Sequence, residues 1–210
     1  MKHLFLSTLF SLMTLLLLAQ RNARLSLEVN YGLQGNFFVR SYTEYAPGSA
    51  KALYKKNFIG TIGGLELKYK LNPFSNISLG YSKSINKREI NYTAMYVSIL
   101  HFRISHINNF YQLGYERVFS KRNMDIKFNS GIFYLRMKQQ EVDASPVGVS
   151  LEERDYKHNK PEEGGAFFGL HYSKKIDTKF ELGIKSRVYY LISTNQFEAI
   201  TLTPTLTYNF

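Results

Sequence analysis

From Ile200 to Phe210 the chain alternates without a break. Ile200, Leu202, Pro204, Leu206, Tyr208 and Phe210 fall on one parity, and Thr201, Thr203, Thr205, Thr207 and Asn209 on the other. Successive side chains of a strand point to opposite faces, so this segment has one greasy side and one polar side. Its length, roughly ten residues, is what a tilted strand needs to cross a bilayer. The same period of two recurs upstream. Leu25, Leu27, Val29, Tyr31 and Leu33 alternate with Ser26, Glu28, Asn30, Gly32 and Gln34, in a strand predicted from about Leu25 to Val39. A second strand, about Phe58 to Leu71, sets Leu65, Leu67, Tyr69 and Leu71 against Glu66, Lys68 and Lys70. A third, Ile77 to Asn86, opposes Ile77, Leu79 and Tyr81 to Ser78, Gly80 and Ser82.

The fourth strand, about 97–119, changes parity within itself. Tyr111, Leu113, Tyr115 and Phe119 share a face, while Leu100, Phe102 and Ile104 fall on the opposite one. Either a β-bulge between Ser105 and Asn109 restores a single face, or the residues before His106 stand above the membrane, where no lipid face exists. Strand five, Met124 to Met137, places Ile126, Phe128, Ile132 and Tyr134 opposite Lys127, Asn129 and Gly131. Strand six, Gly165 to Ser173, and strand seven, Lys179 to Tyr190, repeat the scheme, and the terminal strand is the eighth. Turns of about five residues at Asn72–Asn76, Ser120–Asn123 and Lys174–Thr178 alternate with links at Arg40–Asn57, Lys87–Tyr96, Lys138–Gly164 and Ile192–Gln196. The expected fold is all-β: an eight-stranded antiparallel up-and-down transmembrane β-barrel, with both termini on the periplasmic side.

Two features of the chain agree with that architecture. Lys2 and His3 precede an apolar run, Leu4 to Leu18, then Ala19 and the polar stretch Gln20-Arg21-Asn22. That is the layout of a cleaved signal peptide, 1–19, with Leu17 and Ala19 at −3 and −1 and a second cut available at Ala23. The run is too short for the ~20 residues of a spanning helix. Residues 20–210 then form one domain, exported to the bacterial outer membrane. Mean hydropathy is −0.24, which suits a barrel in which only alternate residues meet lipid. With no cysteine, the exported domain has no disulfide to rely on.

The polar parity is rich in charge. Glu28, Glu66, Lys68, Glu116, Lys127, His171, Glu181, Lys185 and Arg187 all point inward on this reading, with Gly32, Gly60, Gly64, Gly80, Gly114, Gly131, Gly165, Gly169 and Gly183 making room. Buried charges of both signs must pair, so a polar plug is expected rather than a wide pore. The chain has 16 Tyr and 16 Phe, many at strand ends. Phe37, Phe58, Tyr134 and Tyr190 fall towards the outer interface, and Tyr69, Tyr115, Phe119, Phe128, Tyr172, Phe180, Tyr208 and Phe210 towards the periplasmic one. A soluble secreted barrel would reverse the faces and put the charges in water.

With the aromatic terminal strand, the Gly-rich inner face and the Ala19-Gln20 junction, the chain resembles small outer-membrane β-barrel proteins of the Bacteroidota. It is closest in style to the outer membrane protein β-barrel domain group that includes PorT-like proteins. The likeness is one of pattern over Leu25 to Phe210. The family's proline-containing middle strand has no counterpart here, since Leu100 to Tyr115 holds no proline. The resemblance implies that Tyr208 and Phe210 belong to a signal read by the barrel-assembly machinery, and that a part in building a secretion machine is conceivable.

The chemistry legible in the chain is sparse. His171-Tyr172-Ser173 has the His-x-Ser spacing used by lipid A deacylases, with Glu181 as a third member, but faces the lumen beside a periplasmic turn. His101 and His106 lack neighbouring carboxylates, and no loop cradles a phosphate, so no catalytic residue, metal or cofactor is expected. Formal net charge is +11, but an exported chain meets no ordinary nucleic acid. Outer-membrane lipid and lipopolysaccharide are the expected partners of basic residues such as Lys51, Lys55 and Lys56. The loop 138–164, with Glu141, Asp143, Glu152, Glu153, Asp155, Glu162 and Glu163 against Lys138, Arg154, Lys157 and Lys160, is the best candidate for binding a protein partner. The composite expectation is a structural or interaction barrel acting through its extracellular loops. A narrow channel or secretion component is the alternative, and a lipid A-modifying enzyme a third.

Overall fold

The computed structural model describes residues 24–36, 59–94, 97–121, 124–139, 141–145, 148–152 and 162–210, with side chains over 24–35, 59–87, 105–119, 124–138 and 162–210. Ten strands follow in chain order: β1 (Leu25–Asn36), β2 (Ile59–Asn72), β3 (Ser75–Ala94), β4 (Val97–Lys121), β5 (Met124–Gln139), β6 (Glu141–Ser145), β7 (Gly148–Glu152), β8 (Glu162–Lys175), β9 (Phe180–Leu191) and β10 (Gln196–Asn209). Eight of them close a barrel in the order β1-β10-β9-β8-β5-β4-β3-β2, every neighbour antiparallel. β6 and β7 form a separate hairpin between β5 and β8.

Closure depends on β1 meeting β10, where Leu27 stands opposite Tyr208 and Val29 opposite Leu206. The amide of Phe210 donates to the carbonyl of Leu25 at 3.1 Å and completes the seam. The ladder skips Tyr31 and Gly32, opposite Pro204 and Thr203, because the proline ring nitrogen has no hydrogen to donate. Pairing can be followed from Asn36 through Ala199, Tyr189, Phe167, Gly131, Gly114, Ser78 and Lys68. It returns to β1 at Ser26, ten residues below its start. That stagger is the shear that tilts the strands across the wall.

The wall is inverted relative to a soluble protein. Leu33, Leu79, Leu113, Ile132, Leu170 and Leu202 all point out and stay exposed, Leu170 and Ile132 at 60 %. Glu28 and Lys185, by contrast, are buried to 0 and 1 %. Such a surface is comfortable only in hydrocarbon, so the barrel is transmembrane. Tyrosines pack along the outside towards the long-loop end, Tyr81 on Tyr111 at 5.3 Å and Tyr111 on Tyr134 at 6.1 Å. At the short-turn end Phe180, Tyr208 and Phe210 stack in series at 5.2 and 5.1 Å. These are the two interfacial girdles. Phe37 and Phe58, also expected there, lie outside the described residues.

Several expectations are corrected. No bulge interrupts β4 between Ser105 and Asn109, since pairing with β3 runs unbroken from Phe102 to Arg117. The stretch 87–96, expected as a link, is mostly strand. β3 and β4 continue as one hairpin to Ala94 and Val97, past the top of β5, whose pairing starts at His106 opposite Gln139. Above His106, β4 keeps β3 as its neighbour but leaves β5 behind, so the hairpin rises beyond the rest of the wall. Register shifts fall instead between Ile90 and Tyr92 opposite Leu100 and His101 of β4, between Lys70 and Asn72 of β2, and in β10 between Phe197 and Ala199, where both Glu198 and Ala199 turn inward. Two of the expected short turns are in place: Asn72 Oδ1 accepts from the Phe74 amide at 2.9 Å, and Asp177 Oδ1 from the Thr178 amide at 2.6 Å, while 122–123 lie outside the described residues.

Three substitutions test the wall. Leu113→Arg places a charge in mid-wall facing outward and should cost about 2–4 kcal/mol in guanidinium unfolding from lipid vesicles. At Gly131 an added Cβ would meet the Leu113 carbonyl, Gly114 Cα at 2.7 Å and Phe167 Cε1 at 2.8 Å, whereas at Gly164 it meets nothing within 4 Å. Gly131→Ala should therefore destabilise by about 1–3 kcal/mol and Gly164→Ala by far less, in the same assay.

Candidate functional site

The inward parity builds a filled lumen in two tiers. Along β9 the inward series runs Glu181, Lys185, Arg187, Tyr189, Leu191; along β5 it runs Lys127, Asn129, Phe133, Leu135, Met137. Charge thus occupies the half near the short turns, and aromatic and aliphatic groups occupy the half near the long loops. The expected polar plug is only half of the filling. Phe110 packs on Phe133 and Tyr189 at 5.6 and 4.6 Å, and Phe167 lies 5.9 Å from Tyr189. This apolar layer was missed because Phe133, Leu135 and Met137 share a parity with Lys127, and alternation assigns sides, not tiers.

In the charged tier, signs alternate along a connected chain. Arg187 grips both oxygens of the Glu66 carboxylate, its Nη2 at 3.0 Å from Oε2. Lys185 joins Glu66 at 3.1 Å and pairs with Glu28 as well. Glu28 then meets Lys68 at 2.7 Å, and Lys68 reaches Glu116 at 3.1 Å. Asn76 Nδ2 donates to Glu116 at 3.0 Å. His171 Nδ1 lies 3.5 Å from Glu116 and 3.8 Å from Glu28, while Nε2 sits 3.0 Å from Thr205 Oγ1. Lys127 and Glu181 form a separate pair nearer the turns. The nine residues expected to point inward are all buried in this half, their four carboxylates balancing four permanent cations.

Burial this complete is tolerable only because each charge is met by an opposite one and by neutral donors. Arg187 is held three ways: Nε donates to Asn129 Oδ1 at 3.0 Å, Nη1 to Gln112 Oε1 at 2.8 Å, and its guanidinium lies 4.7 Å from the Phe167 ring centre. Tyr189 OH also donates to Gln112 Oε1, at 3.3 Å, so Gln112 joins the two tiers. Sequence alternation placed Asn129 but gave no reason to single out Gln112, which stands across the lumen in three dimensions only. Glu198 was missed for another reason: its parity points outward until the β10 bulge turns it in, where Asn108 Nδ2 donates to it at 2.7 Å.

The His171-x-Ser173 spacing does not make a reactive pair. His171 is fully buried and turns Nε2 to Thr205, and Ser173 is buried to 1 %, so no substrate reaches either. Among the described residues no cluster of ligating side chains could hold a metal ion. The side chains of His101 and of 141–155, like Lys51, Lys55 and Lys56, lie outside the described residues. Below the charged tier a cavity of about 570 Å3 opens at the short-turn end, lined by Arg24, Lys70, Asp125, Lys175 and Lys179 among others.

A transmembrane barrel of eight strands, closed on itself and filled, is the class these observations define. No family model matches the sequence, and no curated protein does. Among solved structures, the chain is similar in fold to Neisserial surface protein A, with a TM-score of 0.52 and 9 % identity, covering 89 % of this chain and 97 % of that one. The N-terminal β-barrel domain of Pseudomonas aeruginosa OprF (TM-score 0.47, 12 % identity, 88 % and 97 % covered) also matches. So does Ail, the attachment invasion locus protein of Yersinia pestis (0.49, 12 %, 89 % and 99 %). At these identities the likeness is one of fold.

Removing one member of the network should expose its cost. Glu66→Gln leaves Arg187 and Lys185 with a neutral neighbour and should destabilise the folded barrel by about 3–5 kcal/mol. The double variant Glu66→Gln/Arg187→Gln should lose less than the sum of the two singles in the same unfolding assay. Strict additivity would mean the pair is not coupled.

Proposed function

We propose that this chain is an integral bacterial outer-membrane protein whose barrel is a sealed anchor and whose work is done by what its ends present. The observation that carries this reading is the filled lumen: four buried acids ion-paired with four buried cations, together with an aromatic layer, cross-link β1, β2, β4, β5, β8 and β9 across the interior. With the wall given to lipid and the lumen to structure, the extended β3–β4 hairpin and the β6–β7 hairpin are what remain for recognition. The long-loop end faces outward on this reading, and the acidic segment 138–164 is where a protein partner or lipopolysaccharide-bound cations would be met.

Export by the 1–19 leader, delivery by barrel-assembly machinery reading Tyr208 and Phe210, and kinship with PorT-like barrels of the Bacteroidota belong to the same proposal, supported by sequence pattern. A channel or secretion component would need the charged tier to rearrange, and a lipid A-modifying enzyme would need reactive groups within reach of lipid.

Planar-bilayer recordings of the purified protein should give no steady open level; sustained conductance would favour the channel. Orientation is tested separately. An epitope inserted between Glu153 and Arg154 should be bound by antibody on intact cells, and one inserted after Asp177 only after permeabilisation. The reverse pattern would overturn the outward assignment of the loops.

A further inference from the structure

We infer that the cavity at the short-turn end binds a small zwitterion carrying a phosphate and a primary ammonium, the chemistry of a phosphoethanolamine headgroup. The cavity, about 570 Å3, falls in the range of ligand sites. Two kinds of unmatched charge line it. At the rim, Arg24, Lys70, Lys175 and Lys179 are exposed and make no ion pair among the described residues; Arg24 only approaches the Tyr69 hydroxyl, at 3.5 Å. Further in, Asp125 lines the same space, is 93 % buried by its 7 % exposure, and likewise has no cationic partner among the described residues. The other charges of the lining are already taken, Lys68 by Glu28 and Glu116, and Lys127 by Glu181.

Asp125 thus faces the cavity with no cationic partner among the described residues, and a carboxylate held largely out of water gains from a donor that a ligand brings. A bare anion would satisfy the rim and be repelled by Asp125. A bare cation would satisfy Asp125 and be repelled on the way in by the rim. A molecule with both charges a few bonds apart meets both demands. Four rim cations around one acidic group favour a phosphate, dianionic in a free monoester and monoanionic in a lipid diester, over a carboxylate, because its non-ester oxygens can meet several lysine ammoniums at once. Protonated primary amine, with three N–H donors, suits a carboxylate better than a quaternary ammonium, which has none.

The site's geometry is independent of which way the barrel stands; that it faces the periplasm rests on the orientation proposed above. Calorimetric titration of the folded, detergent-solubilised chain with O-phosphoethanolamine, inorganic phosphate and phosphocholine tests the binding without reference to orientation. O-phosphoethanolamine should bind more tightly than either of the others. Asp125→Asn should weaken it about tenfold or more, as expected for losing a charged hydrogen bond, while leaving inorganic phosphate unchanged. Lys175→Ala/Lys179→Ala should weaken both. Retained heat-modifiable migration on gels shows that each variant is folded.

The source of the headgroup is read in nanodiscs. Thermal stabilisation by phosphatidylethanolamine over phosphatidylcholine that is lost in Asp125→Asn assigns it to membrane lipid. Stabilisation by the soluble headgroup alone assigns it to a free solute. No binding of O-phosphoethanolamine, or binding indifferent to Asp125→Asn, would overturn the proposal.

Discussion

Hydrocarbon offers no partner to a peptide N–H or C=O, and everything in this molecule follows from that. An open sheet in lipid would carry a row of unpaired backbone groups along each edge. The chain avoids this by bringing its last strand to its first, so β10 is as necessary to the fold as any central strand. The seam also fixes the alternation. Once β1 and β10 are paired in register, Leu27 and Tyr208 must face the same way, and a slip of one residue would turn acids into lipid.

Closure at eight strands leaves a lumen about as wide as the side chains that point into it. Water cannot fill it freely, so its charges must satisfy one another. Arg187, Glu66, Lys185, Glu28, Lys68 and Glu116 do so in a chain of alternating sign, and Gln112 ties that chain to the aromatic layer around Tyr189. The interior therefore acts as a set of cross-braces between distant strands. What the filled barrel leaves open lies at its two ends: tall hairpins at one, a charged vestibule at the other.

Most of this architecture was legible in the chain because a period of two speaks directly about faces. Strand number, the inward charges, the outward leucines and tyrosines and the short turns could all be read from parity and turn residues. What parity does not encode is height along the axis, so the split of the lumen into charged and apolar tiers was invisible. Residues whose meaning depends on contacts across the barrel, such as Gln112, gave no local signal. Bulges defeated the reading in both directions: one was entertained between Ser105 and Asn109, where register runs through, while those opposite Asn91 in β4 and at Glu198 in β10 were not foreseen. The link expected at 87–96 became strand because a hairpin may climb above the wall with no lipid face to pattern it. Asp125 carries no local signal of its own in the chain, because its place in the vestibule, away from any cationic partner among the described residues, is a property of the folded state alone.

The central claim is which face of the sheet meets lipid. Because the chain has no cysteine, single cysteines can be placed along β4 from Phe110 to Glu116 and spin-labelled one at a time in lipid vesicles. Collisional access to lipid-soluble oxygen should rise at Tyr111, Leu113 and Tyr115 and fall at Phe110, Gln112, Gly114 and Glu116. Oxygen access that peaks at the even positions, or water-soluble relaxant reaching the odd ones, would contradict it.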